Sequence, residues 1–269
     1  MIRVVVPGAA GKMGRMVIEA LGERPAEARL TAALERAGHA AIGQPAAIGS
    51  DVETSDDVTA ALRGADAYVD FTAAVASVAL AQAAAAQAAA GGPRVAAVVG
   101  TTGLSADERA ALERAATQIP MVLSPNFSLG VNLLLGLVEQ AARSLGPEFD
   151  LEVLEIHHKL KRDAPSGTAI AIGEALARAR GTTLDAARCY ARAGDVGARP
   201  AGEIGVVALR GGDVVGEHTA YFLGPAERIE ISHRATSRAI FARGAVRAAL
   251  WAAGKPAGMY SMRDVLGLK

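Results

Sequence analysis

Residues 2–14 read Ile-Arg-Val-Val-Val-Pro-Gly-Ala-Ala-Gly-Lys-Met-Gly, an apolar β-branched run followed by three evenly spaced glycines. The run predicts a buried strand over Ile2–Val6, and the residues after the last glycine predict a helix that continues to about Leu21. Glycines between a strand and a helix are typical of a tight turn whose backbone approaches a neighbour closely. The beginning of the chain therefore predicts an α/β fold.

The same alternation of strand and helix continues through the first half of the chain. Further short apolar runs predict strands at Leu30–Leu34, Ala67–Phe71, Val95–Val99 and Met121–Leu123. Helical patterns lie between them, at Asp56–Arg63, Val75–Ala90 and Ser105–Thr117. Buried strands that alternate with helices are typical of a parallel sheet covered on both faces. We therefore expect a Rossmann-like, doubly wound parallel sheet domain over residues 1–128.

The pattern changes after Asn126. The sequence then predicts an apolar helix, a strand, a second helix and a Gly/Ala/Arg-rich loop, at 129–145, 151–156, 166–180 and 181–200. Three strand-like runs separated by glycine-containing turns follow, at Ile204–Leu209, Val214–Phe222 and Arg228–His233. Such spacing is typical of an antiparallel meander. We expect a second α+β domain with a mixed, largely antiparallel sheet over 129–238, and we expect residues 239–269 to return to the first domain.

Composition and charge exclude several classes of protein. The 269 residues include 28 Lys and Arg and 28 Asp and Glu, so the formal net charge is zero, whereas a polynucleotide-binding protein usually has a basic excess. Cys189 is the only cysteine, so an internal disulfide is impossible and a reducing cytoplasm is expected. The first strand is too short for a signal-peptide core, and the run Val75–Ala90 is mostly alanine, unlike a membrane span. We expect a cytoplasmic protein with no nucleic-acid or membrane partner.

The three glycines also predict a binding site. Gly8, Gly11 and Gly14 lie between a strand and a helix, where the helix N-terminus can face a pyrophosphate. Glu35 ends the second strand 21 residues after Gly14, where a carboxylate can accept hydrogen bonds from an adenosine ribose. The spacing from the first glycine to Lys12 is too short for a Walker phosphate loop. The sequence therefore predicts a dinucleotide cofactor.

Two adjacent residues have opposite preferences for the phosphorylated and unphosphorylated dinucleotide. Glu35 favours a free 2′-hydroxyl and repels a 2′-phosphate, whereas Arg36 can pair with that phosphate at a gain of about 1.5–3 kcal/mol. Because these preferences partly cancel, we expect both NADH and NADPH to be used. Arg15 is either a further phosphate contact or a solvated helix cation.

Two loops after later strands are candidates for holding the nicotinamide. Gly100-Thr-Thr-Gly103 and Ser124-Pro-Asn-Phe127 each follow a predicted strand. Ligands of doubly wound sheets lie beyond the carboxyl ends of the strands, so both loops are suitably placed. Ordinary turn chemistry explains the same residues equally well.

A second candidate site lies at residues 155–169, Glu-Ile-His-His-Lys-Leu-Lys-Arg-Asp-Ala-Pro-Ser-Gly-Thr-Ala. This stretch combines two imidazoles, three cations and a helix start, which suits proton transfer to a bound anion. The adjacent imidazoles lack the spacing of a metal site. The histidines of the later strands, His218 and His233, are expected to be structural.

The order of residues in this stretch requires a bend. Neighbouring residues of a strand point to opposite faces, so His157 and His158 share one ligand only if the strand ends or twists there. For His157 and Lys161 to reach one substrate the chain must bend between them, which would send Lys159 outward.

The helix start in this stretch predicts an anion cradle. Asp163 or Ser166 would cap the helix, and Gly167 and Thr168 would then offer N–H groups and a hydroxyl to a carboxylate. The capping and binding interpretations are compatible, because a capped helix start also presents the N–H groups that would bind the carboxylate.

The stretch strongly resembles the signature of the bacterial 4-hydroxy-tetrahydrodipicolinate reductase (dihydrodipicolinate reductase) family, which acts in lysine and diaminopimelate biosynthesis. The specific part is the run His-His-x-x-Lys-x-Asp-Ala-Pro-Ser-Gly-Thr, and the resemblance covers nearly the whole chain. Further matching motifs are Gly8–Gly14, Ala33–Arg36, Asp70–Thr72, Gly100–Gly103, Asn126–Ser128, Val215–Thr219 and Met262–Val265.

The resemblance implies a role for each matching residue. It implies that His157 and Lys161 are catalytic proton donors, and that His158, Gly167 and Thr168 bind the substrate. The implied cofactor-binding residues are Gly8, Ala9, Ala10, Gly11, Lys12, Met13, Gly14, Glu35, Arg36, Gly100, Thr101, Thr102, Ser124, Pro125, Asn126 and Phe127. No metal is implied. The family fold implies that the second domain forms a homotetramer.

The function implied by the resemblance is the reduction of an anionic cyclic dicarboxylate, 4-hydroxy-tetrahydrodipicolinate, by NADH or NADPH. Two alternatives are a nicotinamide reductase of another anionic imine or carbonyl, and a non-catalytic NAD(P)-sensing protein. The sensor is compatible with the predicted fold, because a Rossmann-like domain alone does not fix a function. A sensor, however, has no chemical reason to keep residues 157–168.

Overall fold

The computed structural model describes residues 1–268, and these form two compact units. The first unit consists of Met1–Leu129 and the chain from Ala239 onward, and the second of Gly130–Arg238. The sequence predicts this boundary one residue earlier, between 128 and 129. The boundary lies at the start of a long helix, α5 (Leu129–Leu145), whose bounds agree with the apolar pattern.

The described part of the first unit contains seven strands and six helices. The strands are β1 (Ile2–Pro7), β2 (Ala28–Leu34), β3 (Thr54–Ser55), β4 (Ala67–Asp70), β5 (Ala96–Val99), β6 (Pro120–Leu123) and β12 (Gly258–Tyr260). The helices are α1 (Lys12–Gly22), α2 (Val58–Arg63), α3 (Ala74–Ala89), α4 (Ala106–Ala116), α8 (Ala239–Ala252) and α9 (Met262–Leu266). All strand pairs are parallel, in the order β12-β6-β5-β4-β1-β2-β3.

Helices cover both faces of this sheet. Val4, Val6 and Val69 pack with α1, α8 and α9 on one face, while Val5 and Tyr68 pack with α2, α3 and α4 on the other. Successive residues of one strand alternate between the two cores because side chains of a strand alternate in direction. The predicted Rossmann-like, doubly wound sheet is confirmed.

Two short strands of this sheet are absent from the sequence-based prediction. Thr54–Ser55 and Gly258–Tyr260 each pair with a neighbouring strand, but they have only two and three residues. A run this short has no measurable period, and Gly-Met-Tyr lacks the β-branched residues that mark a strand. Pairing with an existing edge, rather than local propensity, defines these strands.

The second unit contains a five-stranded mixed sheet and three helices. The strands are β7 (Asp150–His157), β8 (Arg188–Cys189), β9 (Ile204–Arg210), β10 (Gly216–Gly224) and β11 (Glu227–Ala235), in the order β11-β10-β7-β9-β8. The helices are α5, α6 (Gly167–Ala179) and α7 (Leu184–Ala187). Apolar residues of α5 and α6, including Val138, Ile172 and Leu176, pack on one face of the sheet against Val153 and Phe222.

The predicted meander is wrong for one of its three strands. β10 and β11 form an antiparallel hairpin, but β9 pairs with β7 in parallel and not with β10. The crossover through α6 brings the chain back in the direction of β7, and β10 then pairs with the other edge of β7. Local turn signals indicate that the chain reverses but not which strand it joins. The predicted mixed sheet is confirmed.

Candidate functional site

The glycine-rich loop of the first unit depends on close backbone packing. Gly8 has a φ of +65°, and a Cβ on it would lie 2.8 Å from Cγ2 of Thr72. A Cβ on Gly14 would lie 2.1 Å from the Gly8 carbonyl oxygen. Helix α1 follows this loop, and no side chain caps its first turn. The exposed helix N-terminus therefore keeps its N–H donors and its positive dipole for an anion.

The predicted ribose-binding carboxylate lies beside this loop. Glu35 is half-buried at the end of β2, and its Oε1 accepts a hydrogen bond from the Ala10 N–H at 3.0 Å. Arg36 is exposed, and no ion pair forms to it within residues 1–268. The arrangement leaves a carboxylate at the loop and a cation one residue further out, as the sequence predicts.

The loops after β4 and β5 are joined by hydroxyl groups. Asp70 is fully buried, and its Oδ1 accepts hydrogen bonds from the Thr72 N–H at 2.7 Å and hydroxyl at 2.6 Å. The hydroxyl of Thr101 lies 2.7 Å from that of Ser77 and donates to the Thr72 carbonyl at 3.1 Å. The loop at Gly100–Thr102 is therefore fixed to its neighbour, with Thr102 exposed.

The loop at 124–127 presents fewer side chains than the sequence suggests. Ser124 is buried and its hydroxyl donates to the Asn126 carbonyl at 2.8 Å, while Pro125 is exposed. The ring of Phe127 is buried in the core of the first unit, edge-on to Phe71. The Phe127 ring thus serves packing, and the exposed part of this loop is Pro125 and the half-buried Asn126.

In the second unit, His157 ends the central strand and is held by a buried carboxylate. Its Nδ1 lies 2.5 Å from Oε2 of Glu155, two residues earlier on the same face of β7. Glu155 is fully buried and also accepts hydrogen bonds from Arg210 and from the Ser166 N–H. Burial favours a raised pKa for Glu155, but these hydrogen bonds outweigh it and the pKa lies below its ordinary value.

The predicted bend after His157 is present, and a crossing loop stabilises it. Residues 211–215 connect β9 to β10, and this connection passes across the end of β7. The Gly211 N–H donates to the His157 carbonyl at 3.0 Å, and the His158 N–H donates to the Val214 carbonyl at 2.7 Å. Lys159 is exposed and His158 is half-buried. Because the strand ends at His157, the alternation that would separate the two imidazoles no longer applies.

Lys161 is paired within this segment. Its ammonium donates to both carboxylate oxygens of Asp163, at 2.9 and 2.7 Å, and the hydrogen bond lowers the pKa of Asp163. The Lys161 side chain is one-fifth exposed, whereas that of Asp163 is mostly exposed. An ammonium whose only carboxylate partner among the described residues is exposed can exchange that partner for a bound anion.

Ser166, not Asp163, caps helix α6. Its hydroxyl accepts a hydrogen bond from the Ala169 N–H at 3.1 Å, and it lies 2.9 Å from Nε2 of His218. Gly167, the first residue of the helix, is exposed and Thr168 is half-buried. The capped start of α6 therefore faces outward with the polarity that suits a carboxylate.

His218 and His233 lie opposite each other on β10 and β11. Burial, and then repulsion from His157, lower the pKa of His218 to about 4, so it is neutral near pH 7. Burial also lowers the pKa of His233. His218 contacts the Ser166 cap at the start of α6, whereas the His233 ring lies beside Gly130 of α5.

The sequence-based prediction omits two residues of this site, Glu155 and Arg210. A signal for Glu155 exists, since a Glu-x-His pair on a strand places both side chains on one face. Arg210 lies 55 residues further along the chain, and only the parallel pairing of β9 with β7 brings it to Glu155.

Metal clusters and membrane spans are both absent from residues 1–268. Over this range, no group of three or more His, Cys, Asp or Glu side chains could hold a metal ion. In the same part of the chain, no helix is long and apolar enough to cross a membrane.

Comparison with known proteins gives consistent matches over the chain. The family model described as dihydrodipicolinate reductase, N-terminus, matches residues 2–127, and the model for the C-terminus matches residues 130–266. A 4-hydroxy-tetrahydrodipicolinate reductase from Anaeromyxobacter dehalogenans is 53% identical, covering 100% of this chain and 99% of the relative. One from Methylocella silvestris is 50% identical, covering 99% of this chain and 97% of the relative.

A solved structure has the same fold. The dipicolinate-bound dihydrodipicolinate reductase from Paenisporosarcina sp. TG-14 superposes with a TM-score of 0.77 at 21% identity, covering 97% of each chain. At this identity the superposition concerns the arrangement of strands and helices.

Proposed function

Because this chain belongs to the dihydrodipicolinate reductase family, we propose that it reduces 4-hydroxy-tetrahydrodipicolinate to tetrahydrodipicolinate with NADH or NADPH, in lysine and diaminopimelate biosynthesis. The observation that carries the proposal is the site at the end of β7. There His157, held by buried Glu155, ends its strand, and the loop 158–166 leads from it to the capped start of α6. A proton donor and an anion cradle on one short segment suit reduction of an anionic ring.

The glycine loop fits the dinucleotide. The contacts at Gly8 and Gly14 permit close approach of the backbone, and the uncapped start of α1 favours the pyrophosphate. In this proposal Glu35 and Arg36 hold the adenosine ribose. The other cofactor contacts are Ala9, Ala10, Gly11, Lys12, Met13, Gly100, Thr101, Thr102, Ser124, Pro125, Asn126 and, through its backbone, Phe127.

The reaction adds one hydride and one proton to the substrate, with loss of water. The reduced nicotinamide supplies the hydride when bound. His157 or Lys161 holds the proton and delivers it to the ring where negative charge develops. His158 and the N-terminal residues of α6, Gly167 and Thr168, bind the substrate carboxylates, and the Lys161 ammonium and the helix N–H groups stabilise the developing charge.

A steady-state assay tests this function. The purified protein is given enzymatically generated 4-hydroxy-tetrahydrodipicolinate with NADH or NADPH, and loss of the reduced nicotinamide absorbance is followed. Turnover with this substrate and not with other anionic imines or carbonyls supports the proposal. Tight cofactor binding with no turnover of any substrate would instead identify a sensor.

Cofactor preference gives a direct test of Arg36. We expect the enzyme to use both dinucleotides, with kcat/KM values within about a thousandfold of each other, which corresponds to ~4 kcal/mol. Arg36→Ala should lower kcat/KM for NADPH by about 10-fold to 150-fold, the loss of one charge-assisted pair, and leave that for NADH nearly unchanged. Arg15→Ala decides between the two interpretations of Arg15: a similar loss with NADPH makes it a further phosphate contact, and no loss makes it a solvated helix cation. Equal losses with both cofactors would contradict the assigned role.

We further propose that the enzyme is a cytoplasmic homotetramer that joins through the second unit. The face of its sheet opposite α5 and α6 carries half-buried or exposed apolar residues, Leu154, Ile156, Val207, Leu209, Tyr221 and Leu223. Contiguous exposed apolar surface on a sheet is typical of an interaction site. We propose no nucleic-acid or membrane partner.

The assembly is tested by Leu209→Lys. Leu209 is 47% exposed in the chain, so the substitution should cost little folding stability. Light scattering coupled to size exclusion should give four chain masses for the wild type and a smaller species for the variant. An exposed leucine elsewhere, Leu160→Lys, should leave the mass unchanged. A wild-type monomer, or a variant that stays tetrameric, would oppose this face as the interface.

A further inference from the structure

Both oxygens of the Glu155 carboxylate, which lies beside His157, are fully engaged in hydrogen bonds. Glu155 Oε2 contacts Nδ1 of His157 at 2.5 Å and accepts from Nη1 of Arg210 at 2.8 Å. Oε1 accepts from Nη2 of Arg210 at 2.8 Å and from the Ser166 N–H at 2.9 Å. The side chain is fully buried, so these partners alone define its orientation.

This geometry fixes which nitrogen of His157 carries hydrogen. A carboxylate paired with a guanidinium is ionised and can only accept, so the Nδ1 beside it must carry the proton. Nε2 is then the atom that gains and loses a proton during turnover.

Arg210 extends the same set of contacts to the second proton-donor candidate. Its Nη2 also donates to the Asp163 carbonyl at 2.7 Å, and the Asp163 carboxylate binds the Lys161 ammonium. One guanidinium therefore connects the carboxylate behind His157 with the loop that carries Lys161. The guanidinium fork is needed because a single ammonium cannot contact both carboxylate oxygens and the carbonyl with this geometry.

Stability alone does not account for an ion pair in which Glu155 is fully buried and the Arg210 side chain is one-fifth exposed. Removing a charge from water costs several kcal/mol in general, and apolar replacements of such pairs are often as stable. The neighbouring strand positions show that this core accepts apolar residues, since Val153 and Val206 lie buried on the same face. The charges of Glu155 and Arg210 are better explained by the groups that they orient, which are His157 and the loop at residues 158–166.

We propose that Glu155 and Arg210 are positioning residues: Glu155 holds His157 as the Nδ1–H tautomer, and Arg210 fixes the loop at residues 158–166. This inference rests on the proton-donor role proposed for His157 and Lys161. In this inference neither Glu155 nor Arg210 contacts the substrate.

The tautomer is measured by nitrogen NMR on histidine-labelled protein. The chain has only five histidines, so the His157 ring is assignable by comparison with His157→Gln. The wild type should show a protonated Nδ1. Glu155→Gln, which offers an amide to the ring in place of a charge, should give a mixture of tautomers. It should also lower kcat by at least about 10-fold to 100-fold, the loss typical for a carboxylate that orients a metal-bound histidine, with KM for the cofactor unchanged.

The matched control is Glu152→Gln. Glu152 lies on the same strand but on the opposite face, and it also pairs with two arginines, Arg192 and Arg199. This variant should keep the wild-type His157 spectrum and kcat. If it lowers kcat as much as Glu155→Gln does, the effect is a loss of sheet stability and the proposal is wrong.

A second variant, Arg210→Lys, tests the loop at residues 158–166 and remains informative if Glu155→Gln does not fold. Arg210→Lys keeps the charge but loses the fork, so it should raise KM for the substrate about tenfold while His157 keeps its tautomer. Unchanged KM would overturn the role of Arg210. An unchanged His157 spectrum and kcat in folded Glu155→Gln would overturn that of Glu155. Inactivity of the wild type would contradict the proposed function alone, since the NMR test needs no substrate.

Discussion

Replacing His157 with alanine should lower kcat by about 10²–10⁴-fold, which is the usual contribution of a positioned proton donor. The affinity for NADH or NADPH should stay nearly unchanged, because His157 contacts Glu155 and His218 within the second unit, and the glycine loop lies in the first. The two effects are separated by steady-state kinetics and by a fluorescence titration with the reduced cofactor.

Lys159→Ala is the matched control for this experiment. Lys159 is an exposed cation two residues away, and only its backbone N–H makes a described contact, to the Gly212 carbonyl. Its replacement should change kcat by less than about threefold, since a solvated charge has little effect. A loss of cofactor binding in His157→Ala that equals the loss of kcat would contradict the role assigned to His157.

Regular, local patterns of the sequence predict most of the fold. The β-branched run at Ile2–Val6 and the alternation after it predict the parallel sheet, because a strand buried on both faces must be apolar throughout. The same logic fails for β12, where Gly-Met-Tyr has no pattern and pairing with β6 defines the strand. The strand β9 is predicted, but its partner is not, because the crossover through α6 sets that pairing.

The candidate site likewise combines residues that the sequence indicates with residues that only the tertiary structure brings to it. His157, Lys161 and Ser166 are neighbours in sequence, so the amino-acid sequence alone indicates their chemistry. Arg210 is remote in sequence and reaches Glu155 only through strand pairing. At Phe127 the motif predicts a cofactor contact, and the structure adds that the ring lies in the core, so only the backbone is left to make that contact. Motifs locate a site, whereas tertiary packing decides which atoms of each residue face it.

Gly14→Ala should weaken NADH and NADPH binding by about 10²-fold, the cost of misplacing binding groups by roughly 1 Å. The added Cβ would lie 2.1 Å from the Gly8 carbonyl oxygen and 2.8 Å from the Ala9 Cα, and real Cβ contacts are essentially never below 3.0 Å. Both clashes are with backbone, so the loop must move away from the start of α1. Such overpacking also costs about 1–3 kcal/mol of folding stability.

Gly22→Ala on the same helix separates the steric effect from helix propensity. A Cβ on Gly22 meets no atom within 4 Å, so this variant should bind cofactor normally and keep or gain stability by up to about 1 kcal/mol. Thermal unfolding and fluorescence titration of both variants give the comparison. Wild-type cofactor affinity in folded Gly14→Ala would mean that the loop does not hold the pyrophosphate, because a ligand bound there must respond when the loop moves.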